Sequence, residues 1–158
     1  MAPFQLFYLL LSLSVFAWAW LRGGHTERAG VAILVLAFLA SFMMQPITLG
    51  QFRLGDAIVD LAVFIAMVWL ALRRDRWWTL AAAAFGGLIL IAHALMFLTP
   101  NLQEAHIRMD VASRWGIGVL MILCLGAGVV ERWMAGEQPV SLQARWRRPE
   151  RRPEHRTT

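Results

Sequence analysis

Five apolar blocks, each close to the thickness of a lipid hydrocarbon layer, follow one another along the chain at Phe4–Leu21, Ala29–Ile47, Leu54–Leu72, Trp77–Thr99 and Trp115–Met134. A helix rises about 1.5 Å per residue, so some 20 apolar residues cross about 30 Å of hydrocarbon. A water-soluble domain would spread its apolar residues at amphipathic spacing instead of massing them in blocks. In a chain of 158 residues that is 59% apolar, this pattern predicts an all-α integral membrane bundle of five transmembrane helices. The bundle occupies residues 1–134, and a basic tail follows over 135–158.

The connectors Arg22–Arg28, Thr48–Arg53 and Arg73–Arg76 hold little more than a turn. They make neighbouring helices antiparallel and adjacent. The fourth, Pro100–Arg114, is longer and carries helix signals of its own, with Asn101 as an N-cap and Glu104 as its acidic N3 partner. The last helix is therefore expected to start near Leu102, outside the bilayer. The tail contains Arg145, Arg147, Arg148, Arg151, Arg152 and Arg156, three prolines and few apolar residues. Such a segment buries too little surface to fold and is expected to be disordered.

All 15 basic residues are arginine, which removes lysine chemistry from consideration. With the N-terminus outside, Arg22, Arg28, Arg73, Arg74, Arg76, Arg132 and the tail arginines lie inside, against Arg53, Arg108 and Arg114 outside. That is the positive-inside arrangement, so the chain is read as an inner-membrane protein, N-terminus out and C-terminus cytoplasmic. Ala17-Trp18-Ala19 mimics a signal-peptidase site, but no basic residue precedes Arg22, so the first block is read as a retained span. Trp18, Trp20, Trp69, Trp77, Trp78, Trp115 and Trp133 fall at block ends, where interfacial anchors belong. The single Cys124 excludes an intramolecular disulfide.

Ionisable groups inside a span cost several kcal/mol unless paired, so they mark either a site or a staple. Asp60 lies six residues from the outer end of the third block, His93 six from that of the fourth, and Ser41 six from that of the second. All three fall about 9 Å below the outer surface. His93 shares a helical stripe with Gly86 and Ala82, and Ser41 with Ala37, Gln45 and Gly30; small residues mark close helix approach. Asp56 projects beside Asp60 at i,i+4 and is placed nearer the surface, within reach of Arg53 or Arg114. Asp60, His93, Ser41 and Asp56 thus form a candidate ligand or proton site open to the outside. The competing reading is a pair that holds the third and fourth helices in register.

Other clusters carry less chemistry. His106 and Asp110 share a face but lack a third ligand, so no metal site is expected. Only His93 lies within a span, which argues against bis-histidine haem; no cofactor is expected. Glu27 and Arg28 are placed to staple the first inner connector to Arg73–Arg76 and Asp75, with Gly23 and Gly24 serving the turn. Cys124 and Gly128 form a small packing pair. The tail arginines Arg145, Arg147, Arg148, Arg151 and Arg152 are read first as a solvated topology anchor, since charge alone supplies about 1 kcal/mol each near an anionic leaflet; the functional reading is binding of anionic lipid headgroups at the membrane surface, and no nucleic acid is expected.

Arg22-Gly23-Gly24, Glu27-Arg28, Asp60, Asp75-Arg76-Trp77 and His93 together resemble a group of small multi-spanning alphaproteobacterial proteins described only as hypothetical membrane proteins. The resemblance covers roughly the first 130 residues and implies a helical inner-membrane bundle. It brings no activity with it. The expected role is a non-enzymatic accessory or interaction protein whose partners are the bilayer and other membrane proteins. The rival is a small transporter or sensor using Asp60 and His93.

Overall fold

The computed structural model describes residues 3–49, 52–98 and 104–137. Among these residues it contains five helices: α1 (Pro3–Arg22), α2 (His25–Met44), α3 (Leu54–Arg73), α4 (Trp77–Leu98) and α5 (Glu104–Met134). Each has a stretch long and apolar enough to cross a membrane. The protein is an all-α membrane bundle. Each helix packs on the next in sequence, α1 closes the ring against α5, and α2 also touches α5. Both α2 and α5 touch three other helices, but α2 meets α1 and α5 only lightly. The apolar stretch of α5 is 39% buried, against 17% for those of α1 and α2.

At 31 residues α5 is the longest helix, and its membrane-crossing part begins only at Ala112. Its first two turns therefore project beyond the span. Helix begins well before Trp115, in line with the signals in that connector. Asn101, the expected cap, lies outside the described residues, as does the tail beyond Glu137.

The turn between α1 and α2 explains the Gly23-Gly24 pair. The Gly23 N–H donates to the Ala19 carbonyl at 2.9 Å, and the Gly24 N–H donates to Glu27 Oε2 at 2.7 Å. Gly24 has an ordinary φ of −95°, so left-handed backbone is not what demands glycine here. Space is. A Cβ at Gly23 would strike the Ala19 carbonyl, and one at Gly24 the Arg132 guanidinium. At the other end of the bundle, Leu49 and Phe52 exchange backbone hydrogen bonds at 2.8 and 3.0 Å, closing the α2–α3 turn.

The core gathers towards the arginine-rich end, around Trp78, Met67, Leu70, Leu125, Val129 and Ala19. Trp78 corrects an expectation. Its block-end position suggested an interfacial anchor, yet it is fully buried. Its ring fills a notch between Gly30 on α2 and Gly128 on α5; a Cβ on Gly30 would lie 2.8 Å from the indole, and one on Gly128 closer still. Two glycines on neighbouring helices make room for an indole. Dispersion is what stabilises the fit, since lipid is as apolar as the core. Trp115 is half-buried, edge-on to Tyr8 and Phe4 of α1 at 4.8 and 5.8 Å. Trp18, Trp20, Trp69, Trp77 and Trp133 remain exposed, as anchors would. Leu36, Phe42, Leu72, Leu95 and many other large apolar side chains also face outward, the surface that lipid covers.

Candidate functional site

Polar groups collect at both ends of the bundle. At the end where α3 begins and α4 finishes, His93 Nε2 lies 2.8 Å from Asp60 Oδ2. His93 is buried, whereas the Asp60 side chain keeps 28% of its exposure. Phe52 stands edge-on to the imidazole at 6.0 Å and to Phe97 at 5.6 Å, closing one side of the pair. The pair meets because α3 and α4 approach closely: Gly86, one of the small residues on the His93 stripe, packs against Phe64 of α3, where a Cβ would sit at 3.5 Å. Asp56, one turn nearer the surface, is 3.4 Å from Arg53 Nε and 3.8 Å from Arg114 Nη1, both of the arginines expected to reach it.

Ser41 stands apart. It is half-buried and, among the described residues, forms no hydrogen bond with Asp60 or His93. Equal depth on neighbouring helices does not bring side chains together when their azimuths differ. Tyr8 of α1, by contrast, lies close enough to Asp60 to feel its charge, and its hydroxyl abuts Gly118 of α5. Tyr8 is the only tyrosine in the chain, and that rarity is the one sequence signal that could have pointed to it. A carboxylate hydrogen-bonded to an imidazole can hold a proton and orient a small polar group, and it can equally lock two helices together.

At the opposite end a second cluster is larger. Glu27 is fully buried; its Oε2 accepts from the Gly24 N–H and lies 3.9 Å from Arg132 Nη1. Arg76 Nη2 donates to both carboxylate oxygens of Glu137 at 2.5 and 2.6 Å, and its Nη1 is 3.6 Å from Glu131. Arg132 Nη1 reaches the same Glu137 carboxylate at 3.0 Å. Beside this network opens a cleft of about 460 Å³, lined by His25, Thr26, Arg74, Asp75, Arg76, Arg132 and Glu137. The expected staple between the α1–α2 and α3–α4 connectors is present in altered form. Its cations and anions come largely from the end of α5, while Arg28 bonds the Trp20 carbonyl at 3.0 Å and Arg73 lies over the Trp69 ring at 4.7 Å.

Glu137 sits where it does because α5 ends in a glycine cap. Gly136 adopts φ 69°, the Gly136 N–H donates to Trp133 O, and the Glu137 N–H returns to Arg132 O. This reversal is the left-handed C-cap that glycine favours, and it turns the next side chain back over the helix end. Arg76 holds the Glu137 carboxyl below the usual carboxylate range, chiefly through their hydrogen bond.

Among the described residues no three His, Cys, Asp or Glu side chains are grouped to hold a metal ion. The side chains of His106 and Asp110, and the tail arginines Arg145, Arg147, Arg148, Arg151 and Arg152, lie outside the described residues. Fold and site together define a small helical integral membrane protein with an ionic cluster at each end. Compared with protein-family models, curated proteins and solved structures, the chain matches none.

Proposed function

We propose that this chain is a non-enzymatic accessory or interaction protein of the bacterial inner membrane, with its N-terminus outside and its C-terminus cytoplasmic. The observation that carries the reading is that three of the ionic contacts among the described residues join different helices of the same bundle. Asp60–His93 ties α3 to α4, Asp56–Arg114 ties α3 to α5, and Glu27–Arg132 ties α2 to α5. Groups used this way hold a scaffold. Orientation is supported by Arg22, Arg28, Arg73, Arg74, Arg76 and Arg132 all falling at one end of the antiparallel bundle. The arginine tail then adds attraction to the anionic inner leaflet.

The test is a double-mutant cycle on Asp60→Asn and His93→Gln, read by thermal or denaturant unfolding in detergent. A staple predicts that each single change lowers stability by about 1–2 kcal/mol and that the pair is non-additive. A second reading, a transporter or sensor with an outward site at Asp60, His93 and Asp56, is favoured by the part of the Asp60 side chain that stays exposed. It predicts the reverse pattern: unchanged stability with loss of a proton-coupled flux or ligand response in reconstituted vesicles.

A further inference from the structure

The geometry points to a phosphodiester headgroup site in the cleft beside Arg76 and Arg132, held closed by the protein's own Glu137. The cleft already displays the chemistry it recognises. One carboxylate is gripped by two guanidinium groups from separate helix ends, with both oxygens on Arg76 Nη2 and one also on Arg132 Nη1. Guanidinium groups hold phosphate oxygens by the same charge-assisted bonds. Arg74 adds a third cation on the cleft wall; it is exposed and forms no ion pair among the described residues. At about 460 Å³ and open to the surface, the cleft has room for a headgroup beyond the phosphate itself.

Charge selects the ligand class. Arg76 and Arg132 also face Glu131 and Glu27, and Asp75 stands on the cleft wall beside Arg74, so the Glu137 carboxylate is matched by a ligand of no more than one negative charge. A phosphodiester exchanges like for like, whereas a doubly charged phosphomonoester adds an uncompensated anion to a site that already holds two buried or half-buried carboxylates. Depth selects the source. The cleft lies at a bundle end where Trp77 and Trp133 are exposed, the level at which interfacial tryptophans and lipid phosphates meet. The ligand is therefore the phosphodiester of an anionic lipid such as phosphatidylglycerol, and Glu137 is a tethered competitor for it. Its side chain is partly exposed and is carried by the glycine-capped end of α5 rather than by a packed helix face, so it can leave without breaking the bundle.

The experiment titrates delipidated full-length protein in detergent with phosphatidylglycerol, read by native mass spectrometry, with phosphatidylcholine as the neutral control. A competitor that occupies the site about nine-tenths of the time lowers apparent affinity about tenfold. Glu137→Gln, which keeps the side chain's volume, is expected to bind phosphatidylglycerol about tenfold more tightly than the unchanged protein. Glu137→Ala is expected to do the same. Adding Arg76→Gln and Arg132→Gln to either variant should return binding to the phosphatidylcholine level. Unchanged or weaker binding in both Glu137 variants overturns the proposal, as does equal binding of the two lipids. Soluble glycerophosphoglycerol separates the sources. Failure to compete at millimolar concentration assigns the site to membrane lipid, and full competition assigns it to the free phosphodiester.

Discussion

Glu137 and Trp78 illustrate two ways in which a single residue acquires a role that its own neighbourhood does not announce. Glu137 follows a helix and a glycine, and looks like surface punctuation; its role comes from Arg76, 61 positions earlier. Because the folded carboxyl titrates below its unfolded value, its contribution to stability is present at neutral pH. That contribution is lost as pH falls through the folded pKa, below the ordinary carboxylate range of about 4.3. Thermal unfolding followed from pH 7 to pH 3 should show an acid-side loss in the unchanged protein that Glu137→Gln lacks. Trp78 makes the opposite case, an apolar residue that looks interfacial and is central. Trp78→Ala leaves an indole-sized void and is expected to lower stability by about 3–5 kcal/mol, the range for large core truncations. Gly128→Val, which would drive a side chain into the indole, is expected to cost about 1–3 kcal/mol by overpacking. Unfolding midpoints in detergent check both.

Helices report themselves strongly when they are apolar throughout, and all five were legible for that reason: nothing but internal backbone hydrogen bonding can satisfy a chain in hydrocarbon. Which face of each helix turns inward was legible only in part. On α4 the Ala82–Gly86–His93 stripe does face α3, because small residues permit close approach and a histidine needs a partner. On α2 the Ser41 stripe splits. Gly30 meets Trp78 at one end, while Ser41 at the other has no bond to the Asp60–His93 pair. A stripe counted at fixed spacing carries no information about where along it the neighbouring helix makes contact. The two aspartates of α3 should also differ in weight. Asp56 pairs near the surface with the exposed Arg53 and, more loosely at 3.8 Å, with Arg114, so Asp56→Asn is expected to lower stability by under about 1 kcal/mol, less than Asp60→Asn. The comparison is direct if both variants are unfolded in the same detergent.

For the whole molecule, the charge pattern and the fold point the same way. The antiparallel bundle gathers Arg22, Arg28, Arg73, Arg74, Arg76 and Arg132 at one end, and the ionic network there ties α2, the end of α5 and the α3–α4 turn to one another. A reporter fused after Thr158 should read as cytoplasmic, and a cysteine placed at Gln51 should react with a membrane-impermeant reagent applied from outside. Labelling only after membrane disruption would reverse the proposed orientation. Of the cleft at the arginine end, the sequence brought together the α1–α2 and α3–α4 connectors but not the end of α5. Its walls come from the start of α2, the α3–α4 turn and the end of α5, with contributions that run from His25 to Glu137. No local spacing joins them.

The number of helices, their antiparallel order and their lipid-facing character were determined by sequence alone, because hydrocarbon leaves a long apolar segment few alternatives and short connectors leave it one direction. The tertiary structure decided which polar groups meet. Asp60 finds His93 rather than Ser41, Trp78 enters the core through two glycines, and Glu137 folds back onto Arg76 and Arg132. Those outcomes depend on helix rotation and on side-chain volume where helices touch. Hydropathy, which sets the depth of a residue, does not encode either.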